Sequence, residues 1–324
     1  MTKQVKQAQS GTTTYHLTTS LERLIGGQDL WGRIDSFLLY SNAEYRSPST
    51  LRTYRYILGL FVRFVNELGI TMPEQVKEEH IVAYIVHKKE TCGGVSINTY
   101  YKHLRAWFNW MVQRKIISES PCAILKSPTL PKTVIRPLGN DELQRMLACC
   151  PNYFHGIRDK AIILLIYDSG LRRSEVSNIK LDDIDLNRGS IKVMGKGAKE
   201  RYVAIGEETK KAIVAYLYLR KDNLAWLFIT QLKDKPGKMQ PDSITQMIEK
   251  IMTRAGIVGA KKGPHTLRHS FATASIRNGA NLFYVQSLLG HSTLNMTRRY
   301  AATVDSEEAV KNHKSFSPAD RLKK

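Results

Sequence analysis

The stretch Ser190 to Ile205, SIKVMGKGAKERYVAI, is where the chain changes period. Ser190 to Met194 and Arg201 to Ile205 alternate apolar and polar residues, the pattern of half-buried strands, and they flank a Gly195-Lys196-Gly197 turn. Two such runs around a glycine turn predict a β-hairpin. Elsewhere apolar residues recur every three or four positions, the period of amphipathic helices. The hairpin therefore makes the second half of the chain mixed, and the first half is expected to be all-α.

Working outward from the hairpin, helices are predicted at Gly139 to Cys149, at Gly156 to Ser169 with its AIILLIY run, and at Ser174 to Ile179. Others follow at Glu207 to Arg220, Ser243 to Ala255, Pro264 to Asn278, Leu282 to Leu289, and one that includes Tyr300. Upstream, Ser127 to Pro137 (SPTLPKTVIRP) has three prolines and no helical period, so it reads as an extended linker. Before it, Leu30, Ile34, Phe37 and Leu38 form one helical stripe, and Tyr54, Ile57, Leu58, Phe61, Phe64, Val65 and Leu68 a longer one that stops at Gly69. Two more helices are expected at Glu79 to Lys88 and Ser96 to Lys115, the last with Tyr100, Leu104, Trp107, Phe108 and Met111 as its stripe. The expected organisation is a tail over 1–27, a helical domain over 28–126, a linker over 127–137, a mixed domain over 138–310 and a second tail over 311–324.

Of the 324 residues, 49 are Lys or Arg and 29 Asp or Glu, a formal net charge of +20, while 42% are hydrophobic. That is apolar enough for a sizeable core and excludes a disordered basic tail. The longest strongly apolar run, Ala161 to Tyr167, is far shorter than a membrane helix, and no apolar signal core opens the chain, so a soluble cytoplasmic protein is expected. The four cysteines, Cys92, Cys122, Cys149 and Cys150, have neither disulfide nor zinc spacing, so no metal is expected. A folded chain this basic suits a polyanion, most often nucleic acid. The first-domain helices carry Arg52, Arg55, Arg63, Lys102, Arg105, Arg114 and Lys115, interleaved with Tyr54, Tyr101 and Trp110, as expected of helices lying against a sugar-phosphate backbone. Each cation alone reads equally as a solvated helix face.

Five segments of the second half carry candidate chemistry. In Ser169-Gly170-Leu171-Arg172-Arg173-Ser174-Glu175, one helix ends at glycine and the next begins, placing Arg172 where anions bind, with Glu175 able to hold it. Lys196, between two glycines on the hairpin tip, suits a proton donor delivered to a groove. His265 and Arg268 are i and i+3 on one helix, so an imidazole and a guanidinium can reach one phosphate. His269 lies on another face and reads as structural. His291 follows a helix end, and Tyr300 follows nine residues later. Singly, these residues read as a loop arginine, a solvated lysine and a core tyrosine. Together, two arginines, a lysine, two histidines and a tyrosine are a kit for metal-free phosphoryl transfer with a covalent nucleophile.

In their order and spacing, GLRRSE (170–175), GKGAKER (195–201), HTLRHSFAT (265–273), LLGHS (288–292) and RRYA (298–301) resemble the tyrosine recombinase (phage integrase) family. TLRTYRYILGLFVRFV and SINTYYKHLRAWFNW resemble its core-binding domain. The resemblance implies a mainly α chain: an N-terminal helical, SAM-like core-binding bundle, then a mixed α/β catalytic domain with a small sheet. It implies that Arg172 and Arg268 clamp the scissile phosphate and that Lys196 protonates the departing 5′ oxygen. It also makes His265 the acid/base or hydrogen-bond partner, His291 the residue that steadies the phosphate, Tyr300 the nucleophile and Glu175 a support.

Further expectations follow from the family. No cofactor is needed; the partner is double-stranded DNA with paired inverted-repeat core sites; and a homotetramer exchanges strands through a Holliday junction at the nucleoid. Val304 to His313 would dock on a neighbouring subunit. An accessory or directionality factor stays open, as does the choice among integration, excision and resolution. The roughly 27 residues before the bundle are too few for an arm-binding domain, which favours a simple two-domain, Xer-like or transposon-type member. The alternatives are a non-catalytic DNA-binding regulator of the same fold and a type IB topoisomerase-like enzyme.

Overall fold

Local capping chemistry sets the helix starts of the first half. The computed structural model describes residues 27–123, 136–195, 200–232 and 235–290, and the chain divides into two units, Met1–Lys132 and Thr133–Lys324. In the first unit, Asp29 Oδ1 accepts from the Gly32 amide at 2.9 Å and starts α1 (Leu30–Ala43). Ser47 Oγ accepts from the Thr50 amide at 3.2 Å and starts α2 (Pro48–Glu67), with Pro48 in the first turn where its missing N–H costs nothing. α3 (Glu78–Lys89) has Glu78 and Glu79 in its first turn and His87, Lys88 and Lys89 in its last, matching the helix dipole. α4 (Gly94–Gln113) completes the bundle.

Most of the predicted stripes meet in one core with residues of α3: Leu30, Ile34, Leu58, Phe61, Val65, Ile81, Tyr84, Leu104, Trp107, Phe108 and Met111 are buried together, whereas Leu68, the last residue of the second stripe, follows the end of α2 and is exposed. Phe61 lies edge-on to Tyr84 and Phe108, at centroid distances of 5.2 and 5.9 Å. Two expected surface aromatics belong to this core instead. Tyr101 is buried with its hydroxyl donating to the Cys122 carbonyl at 3.2 Å, and buried Trp110 packs edge-on to Phe37. Tyr101 stands four residues after Ile97 and three before Leu104, so the helical period carries it inward and leaves Tyr100 half-buried. Tyr54 is half-buried, against Phe37 and His103.

The second unit opens with α5 (Asn140–Ala148) and is built around α6 (Phe154–Ser169). Within α6, Ala161, Ile162, Ile163, Leu165 and Ile166 are fully buried, the all-round apolarity of a central helix. α7 (Arg173–Asn178) leads to β1 (Ile184–Asp185), β2 (Ser190–Met194) and β3 (Glu200–Ala204). These form one antiparallel sheet in the order β1-β2-β3, with Ile191 opposite Val203 and Val193 opposite Arg201. The predicted hairpin is β2–β3.

After α8 (Glu207–Tyr218) comes a second antiparallel hairpin, β4 (Ile229–Leu232) and β5 (Lys235–Lys238), which the sequence pattern did not announce. Leu227, Phe228 and Ile229 run without alternation, and Pro236-Gly237 argues against a strand. Tertiary bonds fix it: the Ile229 amide donates to Tyr216 Oη at 3.1 Å, and Arg158 Nη1 donates to the Ile229 carbonyl at 3.0 Å. α9 (Pro241–Arg254), α10 (Pro264–Arg277) and α11 (Leu282–Leu289) follow. Among the described residues no helix is long and apolar enough to cross a membrane. The expected N-terminal tail through Gly26, linker residues 127–135 and everything after Gly290 lie outside the described residues.

α6, α10 and α11 converge on Gly170. Its φ is +65°, and a Cβ there would lie 2.4 Å from Phe271 Cδ1 and 2.7 Å from Leu289 Cδ2. Asp168, two residues earlier, accepts from the Gly206 amide at 2.6 Å and Thr209 Oγ1 at 2.7 Å, so the end of α6 also caps α8. Gly170→Ala should therefore combine the left-handed backbone cost with overpacking and lower the stability of this unit by about 2 to 4 kcal/mol. Gly69, with φ +79° and no heavy atom within 4 Å of its Cβ position, is the control. Gly69→Ala should cost only about 1 to 2 kcal/mol. Urea unfolding followed by circular dichroism measures both.

Candidate active site

Arg172 is the N-cap of α7, directly after the left-handed turn at Gly170. Three residues on, Glu175 turns its carboxylate back. Glu175 Oε2 accepts from the Arg172 amide at 2.9 Å and Oε1 from Arg172 Nη1 at 2.8 Å. The same carboxylate accepts Arg201 Nη1 on Oε1 at 3.0 Å and Arg201 Nη2 on Oε2 at 2.9 Å. Glu175 is only 4% exposed, so burial alone would raise its pKa. The bonds from Arg201 and the Arg172 amide, then the two guanidinium charges, outweigh burial and hold the carboxyl below its usual range.

Arg268, one turn into α10, is buried. Its Nη1 donates to the Gly170 carbonyl at 2.6 Å and its Nη2 to the Leu289 carbonyl at 2.8 Å. These carbonyls close α6 and α11, whose C-termini carry the negative ends of their dipoles. Arg201 Nε takes the Leu288 carbonyl at 3.0 Å and Arg172 Nη2 reaches the Gly290 carbonyl at 3.5 Å. Three successive carbonyls at the end of α11 are thus each met by a different arginine.

His265 stands in the first turn of α10, open to solvent on one side and packed against the protein on the other. Its pKa is held below the ordinary histidine value, first by desolvation of the ring and then by the charges of Arg268, Arg173, Lys261 and Arg172. The structure thus brings Arg172, Glu175, His265 and Arg268 together. Arg173 turns away, its Nη1 donating to Asp242 and Thr245 of α9. His269, read as structural, is buried. Lys196, His291 and Tyr300 lie outside the described residues. Among the described residues no group of three or more His, Cys, Asp or Glu side chains is placed to hold a metal ion.

Arg201, the last residue of GKGAKER, belongs to this cluster although its local sequence does not single it out. A signal was available: strand alternation puts Arg201 on the same face as buried Val203, and an inward arginine needs an acidic partner. In the first unit, Arg52, Lys102 and Arg105 are exposed, and Arg55 Nη2 is engaged by Asp35 Oδ1 at 2.8 Å.

Because Glu175 is buried between two cations, Glu175→Gln should cost about 3 to 5 kcal/mol at pH 7. A carboxyl whose folded-state pKa is depressed contributes stability that is complete above its unfolded value and lost as pH falls through the folded value. The gap between wild type and Glu175→Gln should start to close below about pH 4.3 and vanish only under the folded-state pKa. Urea unfolding at pH 7, 4.5 and 3 checks this.

Residues 136–307 match the phage integrase family, and residues 34–115 match the phage integrase N-terminal SAM-like domain. Tyrosine recombinase XerA of Thermococcus kodakarensis is 32% identical over 269 residues, 82% of this chain and 89% of that protein. Tyrosine recombinase XerC of Myxococcus xanthus is 36% identical over 262 residues, 78% and 87% of the two chains. The fold is shared with XerH site-specific recombinase, solved in a post-cleavage complex with a palindromic difH substrate (TM-score 0.70, 21% identity, 94% and 88% of the two chains). It is shared equally with the Tn1549 transposon integrase, solved with a circular intermediate DNA (TM-score 0.70, 18% identity, 90% and 100%). With both domains matched in order and curated relatives aligned over most of their length, the chain belongs to the phage integrase family and is a tyrosine recombinase.

Proposed function

We propose that the arginines near the starts of α7 and α10, beside the end of α11, hold a scissile DNA phosphate, and that this recombinase cleaves and rejoins duplex DNA there by transesterification. The observation that carries the reading is the charge balance. The cluster sets three guanidinium groups against one carboxylate: Arg172 and Arg201 share Glu175, while Arg268 donates to the Gly170 and Leu289 carbonyls, which carry no net charge. The surplus positive charge suits a phosphodiester whose non-bridging oxygens gain charge in the transition state.

In this reading Tyr300 Oη attacks the phosphorus, forming a 3′-phosphotyrosine ester and breaking the bond to the 5′ oxygen, which Lys196 protonates. His265, kept neutral by its depressed pKa, has one ring nitrogen free to accept a proton and one to donate. It takes the tyrosine proton or holds the phosphate by hydrogen bond, and His291 steadies the same group. The reverse attack by a partner strand's 5′ hydroxyl releases Tyr300 and completes the exchange. The ester retains the energy of the broken bond, so rejoining requires no nucleotide cofactor.

Residues 28–126 would form the core-binding domain and 138–310 the catalytic domain, with 127–137 running along the duplex. Arg52, Arg55, Lys102 and Arg105 would face the backbone. Paired inverted-repeat sites imply two-fold related protomers, and a tetramer exchanging strands through a Holliday junction at the nucleoid is the assembly this chemistry serves. A directionality or accessory factor would act on that assembly.

Covalent trapping tests the reading. Incubation with sheared genomic DNA should give detergent-resistant adducts, and the captured fragments define a site. Tyr300→Phe should abolish the adduct while leaving affinity for that site largely intact. Arg172→Ala and Arg268→Ala should slow cleavage by about a hundredfold or more, with little loss of binding. Arg105→Ala should do the opposite: weaker binding, a salt slope smaller by about one, and near-normal cleavage at saturation. An adduct that survives Tyr300→Phe, or one phenotype for both classes, overturns the assignment.

A further inference from the structure

Arg201 joins parts of the site that lie far apart in the chain. It stands on β3 of the hairpin, its Nη1 and Nη2 take both oxygens of Glu175, and its Nε takes the Leu288 carbonyl of α11. Glu175 in turn holds both the amide and the guanidinium of Arg172. A Cβ on Gly290 would lie 3.1 to 3.2 Å from Arg201 Cζ, Nε and Nη1, so glycine there lets the guanidinium lie directly against the backbone that leads to residue 291.

We propose that Arg201 is a positioning residue for strand cleavage, holding the hairpin, Arg172 and the end of α11 in one geometry. The proposal rests on the reading of this cluster as the phosphate-binding centre. Donor accounting sets Arg201 apart from Arg172. Each of its three nitrogens donates to protein, at 2.9 to 3.0 Å, and its side chain is 15% exposed. Arg172 is 31% exposed, and its Nη2 meets the Gly290 carbonyl only at 3.5 Å, so that nitrogen can turn to an incoming oxygen. The brace also needs an arginine. A planar fork addresses two carboxylate oxygens and a carbonyl at once, whereas a lysine ammonium at the end of its stem is a single point. Its inward place opposite Val193 means that a shift of β3 moves the Glu175 carboxylate and hence Arg172.

The test is single-turnover cleavage of a nicked duplex built on the site captured by covalent trapping, with wild type and Tyr300→Phe run alongside. Arg201→Lys should keep affinity for the duplex within about threefold while the cleavage rate at saturating DNA falls about tenfold; Arg201→Ala should lower that rate about a hundredfold. In a Glu175→Gln background, Arg201→Lys should cost little more, because the carboxylate through which it acts on Arg172 is gone. If Arg201→Ala fails to fold, Arg201→Lys alone decides. Wild-type cleavage rates in Arg201→Lys, equal losses of affinity and cleavage, or full additivity with Glu175→Gln overturn the proposal. A wild-type protein that forms no adduct on the captured duplex overturns the phosphate reading, and this proposal with it.

Discussion

One buried carboxylate, Glu175, with four hydrogen bonds from two arginines, is the constraint on which the second unit is organised. A carboxylate has about four lone-pair sites, and all are used. Taking such a group out of water is expensive, and only a saturated, doubly charge-assisted set of partners offsets it. The requirement reaches well beyond the side chain. It demands that α7 start where Arg172 can turn its amide inward, that β3 point Arg201 inward, and that both meet within one carboxylate's width. The turn at Gly170 and the β2–β3 register supply those conditions.

The second organising element is the pair of helix C-termini. α6 ends at Gly170 and α11 at Gly290, both left-handed, so their last carbonyls project into one place. Unsatisfied carbonyls and the negative ends of two dipoles form a preorganised cradle for cations. Arg268 occupies it, bonded to the Gly170 and Leu289 carbonyls. The arrangement fixes a guanidinium without neutralising it, since a carbonyl carries no net charge. Carboxylates in those positions would have held Arg268 as firmly and removed the charge that attracts an anion.

Much of this was legible in the sequence because helix and hairpin formation are local. The apolar periods located the described helices to within a few residues, and the alternating runs on either side of Gly195-Lys196-Gly197 located the paired strands β2 and β3. Arg172, Glu175, His265 and Arg268 stood out because each sits at a helix boundary or on a shared helix face. β4–β5 was not legible, because its strands are set by contacts with Tyr216 and Arg158 that no local period encodes. Tyr101 and Trp110 were misplaced because amphipathic aromatics have a polar tip and an apolar body, and only the helical register decides which one faces in. Arg201 went unassigned because its partners, Glu175 and Leu288, are 26 and 87 residues away in sequence.

These observations divide the net charge of +20 by the state of its donors rather than by its location. An arginine whose nitrogens are all bonded to protein, such as Arg201, contributes field and geometry. One with a nitrogen held only by a long bond, such as Arg172, can exchange that bond for a phosphate oxygen at small cost, because the lost carbonyl contact was weak. An exposed cation on a helix, such as Arg105, contributes affinity that salt screens. The three kinds share one formal charge and differ in what desolvation each has already met. Buried guanidinium groups met theirs during folding, so ligand binding gains their full field without that cost recurring, which is the sense in which a preorganised site differs from a basic surface.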